Sequence, residues 1–226
     1  MYTKVQIIAR TAEDALLLAN AGTDFIGLPC DVRDTPGLRR RFNPAEVRAI
    51  FESLPAGAMR VALTLNANIA DLVEIARGSG ANAVQIIGSP TDIPPETIAE
   101  LRAAVPTCKW IRAIGMWDRS AIDVALLFQP VADYLLLDSR APGGPDHGGL
   151  GITHDWSISA EIVRRVHIPI ILAGGISPDN AAAAIRAVHP WGLDSWSLTN
   201  FTGTTQKDPE KVRSLLATAH GEGTNW

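Results

Sequence analysis

The stretch Leu135-Leu136-Leu137-Asp138-Ser139 decides the fold. An unbroken apolar run that ends in a single carboxylate predicts a buried parallel strand with an acid at its carboxyl end. In an α/β barrel, the chemistry lies at that end of the strands. Further along, Ile170-Ile171-Leu172-Ala173-Gly174-Gly175 repeats the pattern, with a glycine pair in place of the carboxylate. The first element predicts a proton-transfer group and the second a phosphate cradle.

The same alternation of apolar strand and amphipathic helix extends along the whole chain. Strands are predicted at residues 4–9, 24–28, 59–65, 83–87, 109–114, 132–137, 169–172 and 193–197, each followed by a helix. This alternation calls for a parallel sheet covered by helices, and its length suits a closed barrel. The alternative is a doubly wound open sheet, which usually carries a glycine-rich fingerprint after its first strand. Residues 9–11 are no such fingerprint, so we predict one (β/α)8 TIM barrel over residues 1–220, with a loose tail at 221–226.

Composition limits the classes of partner and compartment. The 226 residues are 46% hydrophobic and 19% charged, and the formal net charge is −4. A slightly acidic chain without a basic block argues against nucleic-acid and anionic-membrane partners. Apolar runs fall short of a membrane span, and the first residues lead straight into a strand instead of a signal peptide. Two cysteines, Cys30 and Cys108, have neither metal spacing nor a disulfide pattern, so we expect a cytoplasmic protein with free thiols.

Asp138 is the strongest catalytic candidate. At the end of an apolar strand its carboxylate would be partly desolvated, which raises the pKa and suits the group to acid or base catalysis. The structural alternative is that Asp138 caps a turn or pairs with Arg112 or Arg140. Cys30, at the end of the second strand, is a weaker nucleophile candidate, because a buried inert cysteine is the commoner case.

Two loops are candidates for binding phosphate. Gly174 and Gly175 precede Pro178 and a helix, and backbone N–H groups at such a place can bind an anion. Barrels often bind phosphate with the loops that follow strands seven and eight. The structural alternative is a tight turn without a ligand. The eighth loop includes Ser197 and offers hydroxyl groups but no glycine for close approach.

Two charged groups complete the candidates. Arg39, Arg40 and Arg41 follow strand two, where a guanidinium could bind a substrate carboxylate, although a solvated basic loop is the plainer interpretation. The cluster of His147 and His154 with Asp146 and Asp155 matches no zinc spacing, so no metal is expected.

Several motifs resemble the phosphoribosylanthranilate isomerase family. They are EDALLLANAGTDFIG at 13–27, LLLDS at 135–139, GGLGITHDW at 148–156, ILAGGISPDN at 171–180 and QKDPEKV at 206–212. They occur in order over nearly the whole chain, and the combination of LLLDS, GGxG…DW and ILAGG is specific among barrels. The resemblance implies an eightfold barrel that needs no cofactor. It also implies an Amadori rearrangement of N-(5-phosphoribosyl)anthranilate in tryptophan biosynthesis.

The resemblance assigns roles residue by residue. It implies that Asp138 is the general acid that protonates the ring oxygen and that Arg40 holds the anthranilate carboxylate. Gly174 and Gly175 match phosphate-binding backbone positions. Ser197 falls in the last phosphate loop, and Gln85 falls in the family's VQLHG motif on strand four.

Three departures from the family pattern bear on the chemistry. The family's KICG-like first strand carries a cysteine as general base, and that position falls here on Ile7, or on Gln6 if the register shifts by one. Ile87 stands where the VQLHG motif has its histidine. Leu198 replaces a glycine of the eighth loop, directly after Trp196 and Ser197.

We therefore expect an aldose–ketose isomerase that acts on a small phosphorylated substrate as a monomer or homodimer, with its general base unidentified. One alternative is a relative with changed chemistry on another sugar phosphate, of aldolase or epimerase type. The other is a non-catalytic barrel that binds a phosphorylated ligand. Turnover separates the first two from the third.

Overall fold

A computed structural model describes residues 2–33, 42–140 and 151–221. This part of the chain forms a closed barrel of parallel strands, in which each strand pairs with the next and the last pairs with the first. Helices alternate with the strands along the chain and cover the barrel. The predicted TIM barrel is confirmed, and the open doubly wound sheet is excluded.

The strands are β1 (Lys4–Ile8), β2 (Phe25–Pro29), β3 (Met59–Thr64), β4 (Ala83–Ile86), β5 (Lys109–Met116), β6 (Tyr134–Ser139), β7 (Ile170–Leu172) and β8 (Gly192–Ser195). The helices are α1 (Ala12–Asn20), α2 (Pro44–Ser53), α3 (Ile69–Gly78), α4 (Pro95–Ala104), α5 (Ala121–Phe128), α6 (Trp156–Arg165), α7 (Ala181–Val188) and α8 (Pro209–His220), with a short 3-10 helix at Ser197–Thr199.

Local signals explain where several helices begin. Asn43 caps α2: its side chain accepts from the Glu46 N–H, and the Glu46 carboxylate accepts from the Asn43 N–H. This reciprocal pair satisfies two backbone donors that a helix start otherwise leaves unpaired. Asp208 caps α8 ahead of Pro209, and its side chain accepts from the Glu210 and Lys211 N–H groups.

Two strand boundaries differ from prediction in ways that affect the site. β6 continues to Ser139 because Asp138 and Ser139 pair with Gly115 and Met116 of β5. Asp138 therefore lies within the strand rather than beyond it. β8 ends at Ser195, and the predicted extension to residue 197 is wrong. Trp196 leaves the extended conformation with a ψ of −80°, so Ser197 begins the 3-10 helix.

Alternating side chains divide the core into two layers. The outer cluster packs strand residues such as Val5, Ile7, Leu135 and Leu137 against the helices. The inner cluster fills the barrel with Ile8, Phe25, Val61, Leu63, Ala83, Ile87, Ile111, Ala113, Leu136, Ile171 and Ala173. A residue's layer therefore decides whether its side chain can reach a ligand at the mouth of the barrel, where the strands have their carboxyl ends.

Three aromatic rings close the opposite end of the barrel. Phe25 begins β2, Tyr134 begins β6, and Trp191 precedes β8. The ring centroids lie 5.9 Å apart for Phe25 and Tyr134, 5.5 Å for Phe25 and Trp191, and 5.3 Å for Tyr134 and Trp191. Edge and tilted contacts at these distances are favourable beyond the area that they bury. We call these three residues the aromatic floor.

Among the helices of the described ranges, none is long and apolar enough to cross a membrane. The predicted loose tail lies outside the described residues apart from Gly221, so the boundary at residue 220 stays a prediction.

Candidate active site

Asp138 lies on the inner face of β6 near the mouth of the barrel. Leu136, two residues earlier, belongs to the inner cluster, and the alternation of a strand gives Asp138 the same face. Its neighbour in the register on β5 is Gly115, and the side chains of Arg140 and Trp117 occupy the space beside that glycine. Asp138 is partly exposed between buried neighbours, so the predicted acid has access to the mouth.

Arg112 does not compete for Asp138. Arg112 pairs in register with Leu135 of the outer cluster, and its guanidinium stacks on Phe128 with 5.0 Å between its carbon and the ring centroid. Its donors reach the backbone carbonyls of Ile86 and Gly88, both at 3.0 Å. Arg112 thus stabilises the end of β4 from outside the barrel.

The structure resolves which residue of β1 faces the barrel interior. Ile7 is fully buried in the outer cluster, so it has no access to the mouth. Gln6 points inward: its Nε2 donates to Gln85 Oε1 at 2.5 Å and to Asp194 Oδ1 at 2.9 Å. Of the two positions considered for the cysteine, Gln6 is therefore the one on the inner face. Gln85, the predicted substrate-binding residue of β4, is buried beneath the mouth as a partner of Gln6.

Asp194 belongs to this group, although it is not among the residues predicted from the sequence. Asp194 pairs with Gln6 in the register of β8 and β1, and it is partly exposed. Burial and the negative charge of Asp138 raise its pKa to about 7, against the hydrogen bond from Gln6 and the positive charge of Lys207. A signal was present in the sequence, because Asp194-Ser195 ends a strand with the same dipeptide as Asp138-Ser139.

The glycine pair after β7 makes a turn that no other residue type would fit. Gly174 has a φ of +77° and Gly175 a φ of +63°, both in the left-handed region that favours glycine. A β-carbon on Gly174 would lie 2.8 Å from the Ser139 nitrogen, and one on Gly175 would lie 2.8 Å from the Thr153 nitrogen. Packing of the loops therefore requires both glycines, which is the structural alternative considered above.

The same turn leaves backbone donors available. The N–H groups of Gly174, Gly175 and Ile176 make no hydrogen bond with the described residues. The turn is held next to β8 by a hydrogen bond of 2.8 Å from the Ser195 hydroxyl to the Ile176 carbonyl. Tight packing and anion binding are thus compatible at this turn.

Ser197 lies beside the end of the sixth loop. It is exposed at the start of the 3-10 helix, and a β-carbon on Gly151 would lie 3.4 Å from its hydroxyl oxygen. Before it, Trp196 packs against the inner cluster and lies under the guanidinium of Arg10, with 5.4 Å between the guanidinium carbon and the ring centroid. Trp196 therefore covers the barrel interior between β1 and β8.

Buried Lys207 holds this loop in place. Its ammonium group donates to the Trp196 carbonyl at 2.5 Å, to Thr199 Oγ1 at 3.0 Å and to Asn200 Oδ1 at 2.7 Å. Its backbone N–H donates to Asp14 Oδ1 at 2.9 Å. The order of the eighth loop thus depends on one buried cation.

The remaining candidates are buried, are bonded to neighbouring side chains or lie outside the described residues. Arg40, its two arginine neighbours, Asp146 and His147 lie outside the described residues. His154 is bonded through Nδ1 to Ser139 Oγ at 2.9 Å and through Nε2 to Ser159 Oγ at 2.7 Å. Within 2–33, 42–140 and 151–221, no cluster of His, Cys, Asp and Glu could hold a metal ion. Cys30 is fully buried in the outer cluster.

The chain is similar in sequence to one family of known proteins. Residues 8–218 match the family model described as N-(5'phosphoribosyl)anthranilate (PRA) isomerase. A protein of that name from Methanocella arvoryzae is 37% identical, covering 95% of this chain and 96% of its own length. One from Haloferax volcanii is 32% identical, covering 96% and 93%.

Solved structures with the same barrel carry the same name. The phosphoribosyl anthranilate isomerase of Thermotoga maritima superposes with a TM-score of 0.79 at 26% identity, covering 97% of this chain and 99% of that one. Another, in complex with reduced 1-(o-carboxyphenylamino)-1-deoxyribulose 5-phosphate, gives a TM-score of 0.77 at 25% identity with the same coverage.

Proposed function

The chain belongs to the N-(5'-phosphoribosyl)anthranilate isomerase family, and we propose that it isomerises N-(5'-phosphoribosyl)anthranilate to the corresponding ketose amine with Asp138 as the general acid. The observation that carries the proposal is the position of Asp138. Its carboxylate is partly exposed on the inner face at the mouth, opposite the glycine of β5. In a barrel enzyme this is where catalytic groups lie.

The loops beside Asp138 suit the phosphate end of this substrate. The backbone N–H groups of Gly174 and Gly175 make no hydrogen bond within residues 2–33, 42–140 and 151–221, and the exposed hydroxyl of Ser197 lies on the neighbouring loop. Groups of this kind bind phosphate through directed donors without needing a cation. We assign the phosphate to this cup, and the substrate carboxylate to Arg40 on the strength of the family pattern alone.

The reaction needs a general acid for ring opening and then a general base for removal of the C2 proton. Asp138 gives its proton to the ring oxygen, and the bond from that oxygen to C1 breaks while the amine nitrogen forms a double bond to C1. Loss of the C2 proton then gives an enolamine, which becomes the ketose by gaining a proton at C1 and losing one from the C2 hydroxyl. Substrate and product are isomers, so the net reaction consumes no oxidant or reductant.

Oligomeric state and compartment remain predictions. We expect a monomer or a homodimer in the cytoplasm. A structural relative from Thermotoga maritima is described as a dimeric isomerase from which monomers were generated.

The loss of substrate fluorescence tests the proposed function. Purified protein is mixed with freshly made phosphoribosylanthranilate, beside Asp138→Asn and the matched control Asp123→Asn on the exposed face of α5. We expect turnover by the wild type and the control, and a loss of at least about a hundredfold for Asp138→Asn. A flat wild-type trace would contradict the isomerase assignment. Full activity of Asp138→Asn would contradict only the role of Asp138.

A further inference from the structure

The proposed function leaves the general base unassigned, and the cysteines of this chain do not supply it. The chain has two cysteines, and both are described. Cys30 is fully buried and Cys108 is 5% exposed, and both lie in the outer cluster between the strands and the helices. A thiol on that side of the sheet has no path to a substrate at the mouth, so the base is a different chemical group.

We infer that Asp194 is the general base, a role that rests on the proposed function and deepens it. Asp194 lies on the inner face of β8, directly beside Gln6 in the register of β8 and β1. Gln6 is the inward residue of β1, where the family pattern leads one to expect the thiol. The carboxylate of Asp194 therefore lies one strand away from that position.

The contacts of Asp194 orient its carboxylate for this work. Oδ1 accepts a hydrogen bond of 2.9 Å from Gln6 Nε2, and Gln6 is itself 1% exposed. The other carboxylate oxygen makes no hydrogen bond with the described residues, and the side chain is partly exposed. Oδ1 is thus held from below, and the other oxygen is left without a partner among the described residues, which is an arrangement that proton abstraction can use.

Electrostatics couples Asp194 to Asp138. The charge of Asp138 acts on Asp194 and, together with burial, brings the Asp194 pKa to about 7. Two carboxylates that repel each other across one site do not both ionise readily, so the pair tends to retain one proton. The proposed roles need that proton on Asp138 and the negative charge on Asp194 when the substrate binds.

Other groups near the mouth fit the role less well. The amide of Gln6 and the side chain of Ile87 cannot take a proton. The Lys207 ammonium group is occupied by three hydrogen bonds to the eighth loop. Asp31 accepts a hydrogen bond of 2.5 Å from Thr64 Oγ1, on the loop after β2. Asp194 combines an inward position with a carboxylate oxygen that no described residue occupies.

In the proposed step, Asp194 takes the C2 proton of the ring-opened iminium. The electron pair of the C2–H bond forms the C1–C2 double bond, while the electrons of the C1–N double bond return to nitrogen. Asp194 becomes protonated and the neutral enolamine forms. Asp194 then gives its proton to C1 of the enolamine, and the proton of the C2 hydroxyl passes to the Asp138 carboxylate. The ketose forms, Asp194 is again ionised and Asp138 is again protonated.

The test compares Asp194→Asn with the wild type and with Asp123→Asn. We expect kcat to fall by about a hundred- to ten-thousandfold in Asp194→Asn. Titration with reduced 1-(o-carboxyphenylamino)-1-deoxyribulose 5-phosphate should show binding within about threefold of wild type, which establishes an assembled site. A variant that binds this analogue and keeps more than about a third of wild-type kcat would overturn the inference.

A second variant separates a base from a merely structural carboxylate. Asp194→Cys restores a proton acceptor, so we expect it to exceed Asp194→Asn in kcat at least tenfold at pH 8.5. Iodoacetamide should then abolish this activity, whereas the wild type, whose thiols are buried, should resist. Asp194→Cys no more active than Asp194→Asn would contradict the inference. An inactive wild type would instead refute the proposed function itself.

Discussion

Lys207 and Trp196 are joined by a hydrogen bond of 2.5 Å from the lysine Nζ to the tryptophan carbonyl, at the point where β8 ends and the eighth loop begins. Lys207 is 1% exposed, and burial lowers its pKa to about 8 despite the nearby charges of Asp14 and Asp194. A desolvated cation is tolerated there because its three donors all find oxygen acceptors. The loop geometry beside the candidate site thus depends on this one side chain.

We therefore expect Lys207→Met to lower the free energy of unfolding by about 3 kcal/mol, because it removes the three hydrogen bonds from the ammonium group to the eighth loop. KM for phosphoribosylanthranilate should rise more than kcat falls, since the substituted residue orders the loop and does not react. Urea unfolding and steady-state kinetics measure both. Lys109→Met, at an exposed ion pair, should cost less than about 1 kcal/mol, and an equal cost for both variants would contradict the prediction.

Gly174→Ala should destabilise the protein more than Gly203→Ala. The two glycines share a φ of +77°, so the conformational cost of alanine is the same at both. A β-carbon on Gly203 meets no atom within 4 Å, whereas one on Gly174 meets the backbone of Ser139. We expect about 1 kcal/mol for Gly203→Ala and at least about 2 kcal/mol more for Gly174→Ala, measured by urea unfolding. Similar losses of unfolding free energy in the two variants would contradict the prediction and would show that the turn at Gly174 can move away from Ser139.

His154 should make stability depend on acid pH. Burial lowers its pKa to about 4, against the attraction of Asp155. The unfolded chain then binds a proton before the folded chain does, so the contribution of His154 is complete above about pH 6.5 and is lost as the pH falls toward 4. His154→Gln should lose less stability than the wild type between pH 7 and pH 5. Exposed His167→Gln is the control, and identical pH dependence in all three proteins would contradict this account.

Asp194 should have the opposite signature. Its pKa in the folded protein, about 7, exceeds its ordinary value of 3.8, so the folded chain holds this proton more tightly than the unfolded chain does. The contribution is complete below about pH 3.8 and is lost as the pH rises through 7. Asp194→Asn should therefore gain stability relative to the wild type when urea unfolding is compared at pH 8 and pH 5. If the difference in free energy of unfolding between the variant and the wild type is the same at pH 8 and pH 5, the pKa of Asp194 is not raised in the folded protein.

Local patterns were sufficient for the barrel and for much of its helical frame. The run at Leu135–Leu137 predicted a buried strand, and Asn43 with Pro44 predicted the start of α2, because both signals act over a few neighbouring residues. The pattern Lys4–Ile8 did not reveal which of its side chains face inward, since both faces of a parallel strand are buried. The choice between Gln6 and Ile7 therefore needed the three-dimensional register.

The candidate site was less predictable because its properties arise across the barrel. The pKa of Asp194 depends on Asp138, which lies on β6, two strands before β8 in the chain. The need for Gly175 comes from the backbone of Ile152 and Thr153, which no local signal connects to it. Sequence patterns were enough to identify the groups at the ends of strands. The electrostatic and steric interactions between those groups could be predicted only from their positions in space.

The aromatic floor lies at the end of the barrel opposite the mouth, where Phe25, Tyr134 and Trp191 interlock. Residues at the mouth are therefore not the ones that hold the strands together at their amino ends. Because of this separation, a thiol or a histidine at the mouth can be replaced in evolution without loss of the aromatic packing at the opposite end. Gln6 on β1 and Ile87 beyond β4 depart from the family pattern at this end of the barrel.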